Sequence, residues 1–210
     1  MPRDRARAGN VLPALLASAL LVVAGCGAPG PRESAGGIIP PDHSRAVLVP
    51  FENLSGREEQ GTVFSRVFFA QLVASGAFEM VDPTRVEEAM DSLNIRSAGS
   101  LTPAQARVLA DSLHAPYLLL GSVLESGRIQ TGTADLPSVG ATLRVLEAST
   151  GRVLWAGVHF RTGEDRETVF GWGQERDADR LVSSLASDML RDFREAGAAY
   201  ARRTRAEGTK

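Results

Sequence analysis

The chain has 210 residues, one cysteine and a formal net charge of -2, with 23 basic against 25 acidic side chains. Because the two signs are interspersed, the composition excludes a nucleic-acid surface or a polybasic membrane patch, and a lone cysteine excludes an internal disulfide. With an amino-terminal export signal set aside, the remaining length suits one domain and is short for two.

The amino terminus carries Arg3, Arg5 and Arg7, then an apolar run over 11–24, then small residues. That order is the grammar of an export signal. Pro13 interrupts the run, which is too short for a comfortable span of about 20 residues. Val23-Ala24-Gly25-Cys26 closes it and resembles the lipobox of bacterial lipoproteins. The resemblance implies signal removal before Cys26, a diacylglyceryl group on its thiol and acylation of its new amino group. Residues 1–25 are then the signal peptide, Val23, Ala24 and Gly25 are the peptidase recognition residues, and the lipid on Cys26 is the only covalent group expected. Several acyl chains on one residue make a lasting anchor, at roughly 0.8 kcal/mol per buried methylene. An ordinary secretory signal or an uncleaved anchor is the plainer alternative. Gly27 stands where an aspartate would resemble the inner-membrane retention signal, so the expected location is the outer membrane, with the domain facing the periplasm.

Residues 26–44 are rich in Gly, Pro and Ser, with Ile38 and Ile39 the only large apolar side chains, and read as a lipidated flexible tether. His43 lies in it as a solvated residue. The folded domain is expected over 45–196. Arg45 to Phe51 is a buried strand, and Glu52 to Gly56 a turn. Val63, Phe64, Val67, Phe68, Leu72 and Val73 give a helix ended by Gly76. Phe78 to Val81 is a second strand. Asp82-Pro83 and Thr102-Pro103 each start a helix with a capping residue and proline at the first helical position; the second helix ends before Pro116. Tyr117 to Leu124 is apolar on both parities, as a central strand covered on both faces should be. Ala141 to Ala148 and Val153 to Phe160 form a hairpin about a turn at 149–152. A last helix runs from about Asp177 with its apolar stripe ending at Phe193, and 197–210 reads as a basic frayed tail. The order β-α-β-α-α-β-β-β-α predicts an α/β fold with a mixed sheet of about five strands packed with helices.

Val49-Pro50-Phe51-Glu52-Asn53-Leu54-Ser55-Gly56 resembles the opening strand and turn of TolB amino-terminal-like domains. The likeness continues in Ala115-Pro116-Tyr117-Leu118-Leu119-Leu120-Gly121-Ser122-Val123, and in Leu146 to Trp155, which resembles the final hairpin of that family. The wider group includes CsgG, which forms the curli secretion channel, and LpoB, which activates a peptidoglycan synthase. The resemblance implies an envelope-assembly role. A channel of the CsgG type would need inserted strands of roughly 9 to 11 residues each, and the connections 126–138 and 162–176 read as too short for two. A subunit of a homo-oligomeric secretion assembly therefore ranks below an adaptor that binds another envelope protein.

Enzyme chemistry finds no support in the pattern. Neither Gly-x-Gly-x-x-Gly nor Gly-Lys-Ser/Thr accompanies the turn at Gly56. His114 and His159 have no Cys, His or paired carboxylate at ligand spacing and read as structural, so no catalytic or metal residue is assigned. The candidate partner-binding residues are Glu52, Asn53, Phe170 and Trp172. Asn53 has a second reading as a turn stabiliser and Glu52 as a solvated residue. Phe170 and Trp172, in a polar loop, either anchor a partner or fold back as a lid on the core.

Overall fold

The computed structural model describes residues 32–36, 40, 43–131, 134–165 and 173–207. Among these residues seven strands and four helices follow one another as β1 (Arg32–Gly36), β2 (Arg45–Leu48), β3 (Glu52–Asn53), α1 (Gln60–Ser75), β4 (Glu79–Met80), α2 (Pro83–Ser92), α3 (Pro103–Leu113), β5 (Tyr117–Thr131), β6 (Ala134–Glu147), β7 (Arg152–Thr162) and α4 (Ala178–Glu207). The strands form one sheet in the order β1-β7-β6-β5-β2-β4, with β3 beside the middle of β5. It is mixed: β4, β2 and β5 run parallel, whereas β5, β6, β7 and β1 pair antiparallel. The expected α/β class and the central place of β5 are both found.

The helix boundaries follow from local chemistry. Asp82 accepts a hydrogen bond from the Thr84 amide at 2.9 Å with Pro83 at the first turn of α2. Thr102 and Gln105 form a reciprocal capping box at α3, and His114 ends that helix in the left-handed conformation. Each such cap contributes about 1 kcal/mol. Gly76 closes α1 with φ 63°.

Alternating residues of the sheet build two cores. On one face Phe51, Phe64, Phe68, Leu143, Trp155 and Met189 pack beneath α1 and α4. Phe51, Phe64 and Phe68 form an aromatic trio with centroids 4.7 to 6.1 Å apart. On the other face Val47, Val86, Met90, Leu109, Leu118 and Leu120 pack beneath α2 and α3. Burial of each such side chain stabilises the fold by roughly 1.5–3 kcal/mol.

Four features differ from the sequence reading. Arg32–Gly36, inside the segment read as flexible tether, pairs with β7 over five residues; backbone hydrogen bonds hold an edge strand that offers no large apolar side chain. Glu52 and Asn53, read as turn, pair with Ser122 and Val123 as β3. The connection 126–138 is the outer part of a long hairpin, its register running from Ser126 opposite Val139 to Thr131 opposite Ala134. The last helix continues past Phe193 to Glu207, because the Ala, Arg and Glu residues there are strong helix formers even without an apolar stripe.

Candidate functional site

On the face opposite α1 and α4, the helices α2 and α3 reach only the β2 and β5 side of the sheet. Among the described residues nothing covers β6 and β7 there. Their outward side chains are Thr142 and Arg144 on β6 and Ala156, Val158 and Phe160 on β7, all of them half-buried or exposed. Phe160 lies across Gly140, where a Cβ would collide with its ring. Between this half of the sheet and the loop carrying Ala98 and Gly99 runs a groove of about 570 Å³, with Leu120, Ser122, Thr142, Arg144, Ala156 and Val158 on its floor.

The groove is apolar with a few polar groups in fixed positions. The Ser122 amide donates to Thr142 Oγ1 at 3.2 Å. Arg144 is exposed and makes no hydrogen bond or ion pair with a described residue. It is a cation standing in an apolar trough, available to a carboxylate. Beyond Ser122 the groove meets Glu52, whose carboxylate accepts hydrogen bonds from Ser97 Oγ at 3.2 Å and Ser122 Oγ at 3.4 Å. Gly99 lets it lie there, since a Cβ at that position would strike the carboxylate. Glu52 is thus half-buried and engaged, not simply solvated. It ties the 97–100 loop to the middle of β5.

Asn53 does the work of a turn residue. Its Nδ2 donates to the Arg57 carbonyl at 2.5 Å, and its Oδ1 accepts from the Ser55 amide at 3.2 Å and the Ser55 hydroxyl at 2.7 Å. Its neighbour Leu54 is 56% exposed, the largest apolar exposure of that turn. Cys26, Val23, Ala24, Gly25, Phe170 and Trp172 lie outside the described residues.

The histidines fall away from the groove. His159 is buried on the α4 side of β7, with Nε2 2.8 Å from Asp192 Oδ2 and its ring tilted against Trp155. It joins a strand to a helix inside the core. Among the described residues no three His, Cys, Asp or Glu side chains come together as a metal site, and no helix is long and apolar enough to cross a membrane. The groove residues Thr142, Arg144, Ala156 and Val158 were not singled out from sequence. The available signal was the parity of β6, where Thr142 and Arg144 alternate with Ala141, Leu143 and Val145.

No family model and no curated protein matches the chain. Solved structures do share its fold. A PelC variant from Paraburkholderia phytofirmans, solved as a dodecamer, is 22% identical with a TM-score of 0.54, over 78% of this chain and 98% of that one. The lipoprotein GNA1162 from Neisseria meningitidis is 18% identical with a TM-score of 0.53, over 72% of this chain and 99% of that one. The chain therefore carries an α/β domain of the fold seen in these two proteins. It is of the α/β class with a mixed sheet that the sequence predicted.

Proposed function

We propose that the chain is a non-enzymatic lipoprotein, anchored in the outer membrane through acylated Cys26, that recruits or regulates another envelope protein through the uncovered face of β6 and β7. The observation that carries this is the apolar groove lined by Arg144, an exposed cation with no ion-pair partner among the described residues. A sheet face normally buries its apolar residues under another layer; among the described residues half of one face has no such layer, and α2 and α3 already define its level. The lipobox supports the anchor, and the fold shared with the GNA1162 lipoprotein agrees with it. The test places a photo-crosslinking residue at Val158 in intact cells. Capture of a distinct envelope protein is expected. If the groove captures nothing while a probe at Val108, on the exposed face of α3, does, the groove is the wrong surface.

A second reading is a subunit of a homo-oligomeric secretion assembly. The PelC variant of the same fold is a dodecamer, and the β5–β6 hairpin is longer than the sequence suggested. Its size in mild detergent distinguishes the two: a large defined ring with conductance in a bilayer replaces the adaptor reading, and a monomer removes the ring.

A further inference from the structure

The pairing of β1 changes how far the domain can stand from its anchor. Arg32 lies opposite His159 and Gly36 opposite Trp155, so the sheet holds the chain from Arg32 onward. Only residues 27–31 separate lipidated Cys26 from the domain. Whatever path they take, Cys26 to Arg32 spans at most about 21 Å.

Direction adds to distance. β1 is antiparallel to β7, which is antiparallel to β6, so β1 enters the sheet travelling away from the closed end of the β5–β6 hairpin. The chain therefore enters the sheet at Arg32 from the hairpin side. His159, the partner of Arg32, also lies opposite Ala141, and β6 begins seven residues earlier at Ala134. At a strand rise near 3.3 Å, the hairpin reaches about 23 Å beyond Arg32 along the strand axis, slightly farther than the anchoring segment can stretch.

On the reading of Cys26 as the lipid anchor, we infer that the outer end of the β5–β6 hairpin rests in the headgroup layer of the membrane that holds the lipid. The chemistry of the arms sets the depth. Arg128 and Gln130 on β5 and Asp135 on β6 are exposed, and Arg128 Nε pairs with Asp135 Oδ2 at 2.7 Å. Polar side chains of this kind suit headgroups, not acyl chains. β7 ends at Thr162, opposite Ser138, so only four residue pairs project beyond it, against about 9–11 residues per strand for a crossing. The hairpin touches the membrane without spanning it. α4 runs the other way: Leu181 and Val182 lie beside the hairpin arms, Phe193 lies beside Trp155, and Arg202 and Arg203 follow at the far end.

The test uses the full lipidated chain in vesicles of phosphatidylethanolamine and phosphatidylglycerol. A fluorophore is attached at Gln130→Cys or, at the opposite end of the sheet, at Val153→Cys, and headgroup-labelled lipid serves as quencher. Quenching several-fold stronger at position 130 is expected. A Gly/Ser insert of about 20 residues after Gly27, which adds about 25 Å of mean reach, should bring it down to the level at position 153. Equal quenching at the two sites in a chain whose lipid is confirmed by mass overturns this orientation alone. An unmodified Cys26 in the mature chain overturns the anchor and the orientation together.

Discussion

Arg161 on β7 and Asp188 on α4 form an ion pair between sheet and helix, Nε to Oδ2 at 2.5 Å, with side chains only 13% and 10% exposed. Arg191, one helical turn on, closes on the other oxygen of Asp188 at 2.5 Å. Burial alone would raise the Asp188 carboxyl. The hydrogen bonds and charges of Arg161 and Arg191 together outweigh it and hold the carboxyl below its ordinary value. A folded-state value below the unfolded one contributes stability above the unfolded pKa of about 3.9, and that contribution is lost as pH falls through the folded value. Asp188→Asn should therefore cost about 2 kcal/mol near pH 7, and the gap to the parent protein should narrow as the pH drops below about 4. Urea unfolding at both pH values measures it. A gap that stays constant with pH would show that the carboxylate charge is not what the two arginines hold.

Gly61 makes a different kind of contact between a helix and a strand. A Cβ there would come within 2.6 Å of the Phe51 carbonyl oxygen and 3.1 Å of Asn53 Cβ. A backbone oxygen cannot swing aside, so α1 would have to lift from the aromatic trio. Gly61→Ala should lower stability by about 1–3 kcal/mol, despite the better helix propensity of alanine. Gly127, where an added Cβ meets nothing within 4 Å, is the control, and Gly127→Ala should melt within a degree or two of the parent. Similar melting temperatures for both variants would mean that the α1 approach is not tight.

The anchor is tested at its own residue. Cys26→Ser should move the protein from the membrane to the soluble periplasmic fraction, with the thermal transition of the domain unchanged, since Cys26 precedes the first strand by several residues. Fractionation and the mass of the mature amino terminus provide the measurement. Firm membrane association of the variant would argue for an uncleaved anchor or for a membrane contact independent of lipid.

What could be read from sequence was what local chemistry decides. Asp82-Pro83, Thr102-Pro103 and Gly76 mark helix ends because capping and left-handed geometry are settled within two or three residues. β5 was legible as a central strand because both of its parities are apolar from Tyr117 to Leu124. β1 was not, since Arg-Glu-Ser-Ala-Gly is held by pairing with a strand more than a hundred residues away. The outer hairpin was hidden for the same reason: Ser126 to Thr131 is polar except for Ile129, and only its partner on β6 makes it a strand. The groove depends on something longer-ranged still. That α2 and α3 stop over β5 and leave β6 and β7 bare is a property of how the layers are placed, which no local pattern records.

The groove itself gives the most direct test of function. Arg144 is exposed and Val158 half-buried on the face that no described element covers, so a charge placed there should change stability by little more than about 0.5 kcal/mol. At an interface the same changes act at its centre. Arg144→Glu turns attraction for a carboxylate into repulsion, and Val158→Asp puts a charge where apolar contact would be made, each expected to cost at least about 2 kcal/mol of binding. That is a loss of more than about tenfold in affinity for the captured envelope partner. Val108→Asp, on α3 outside the groove, where the side chain is 48% exposed, should leave capture unchanged. The measurement is the cross-linking yield in intact cells, set against the melting temperature of each variant. If Arg144→Glu and Val158→Asp both bind like the parent while Val108→Asp does not, the partner docks on α3 and the open half of the sheet serves some other purpose.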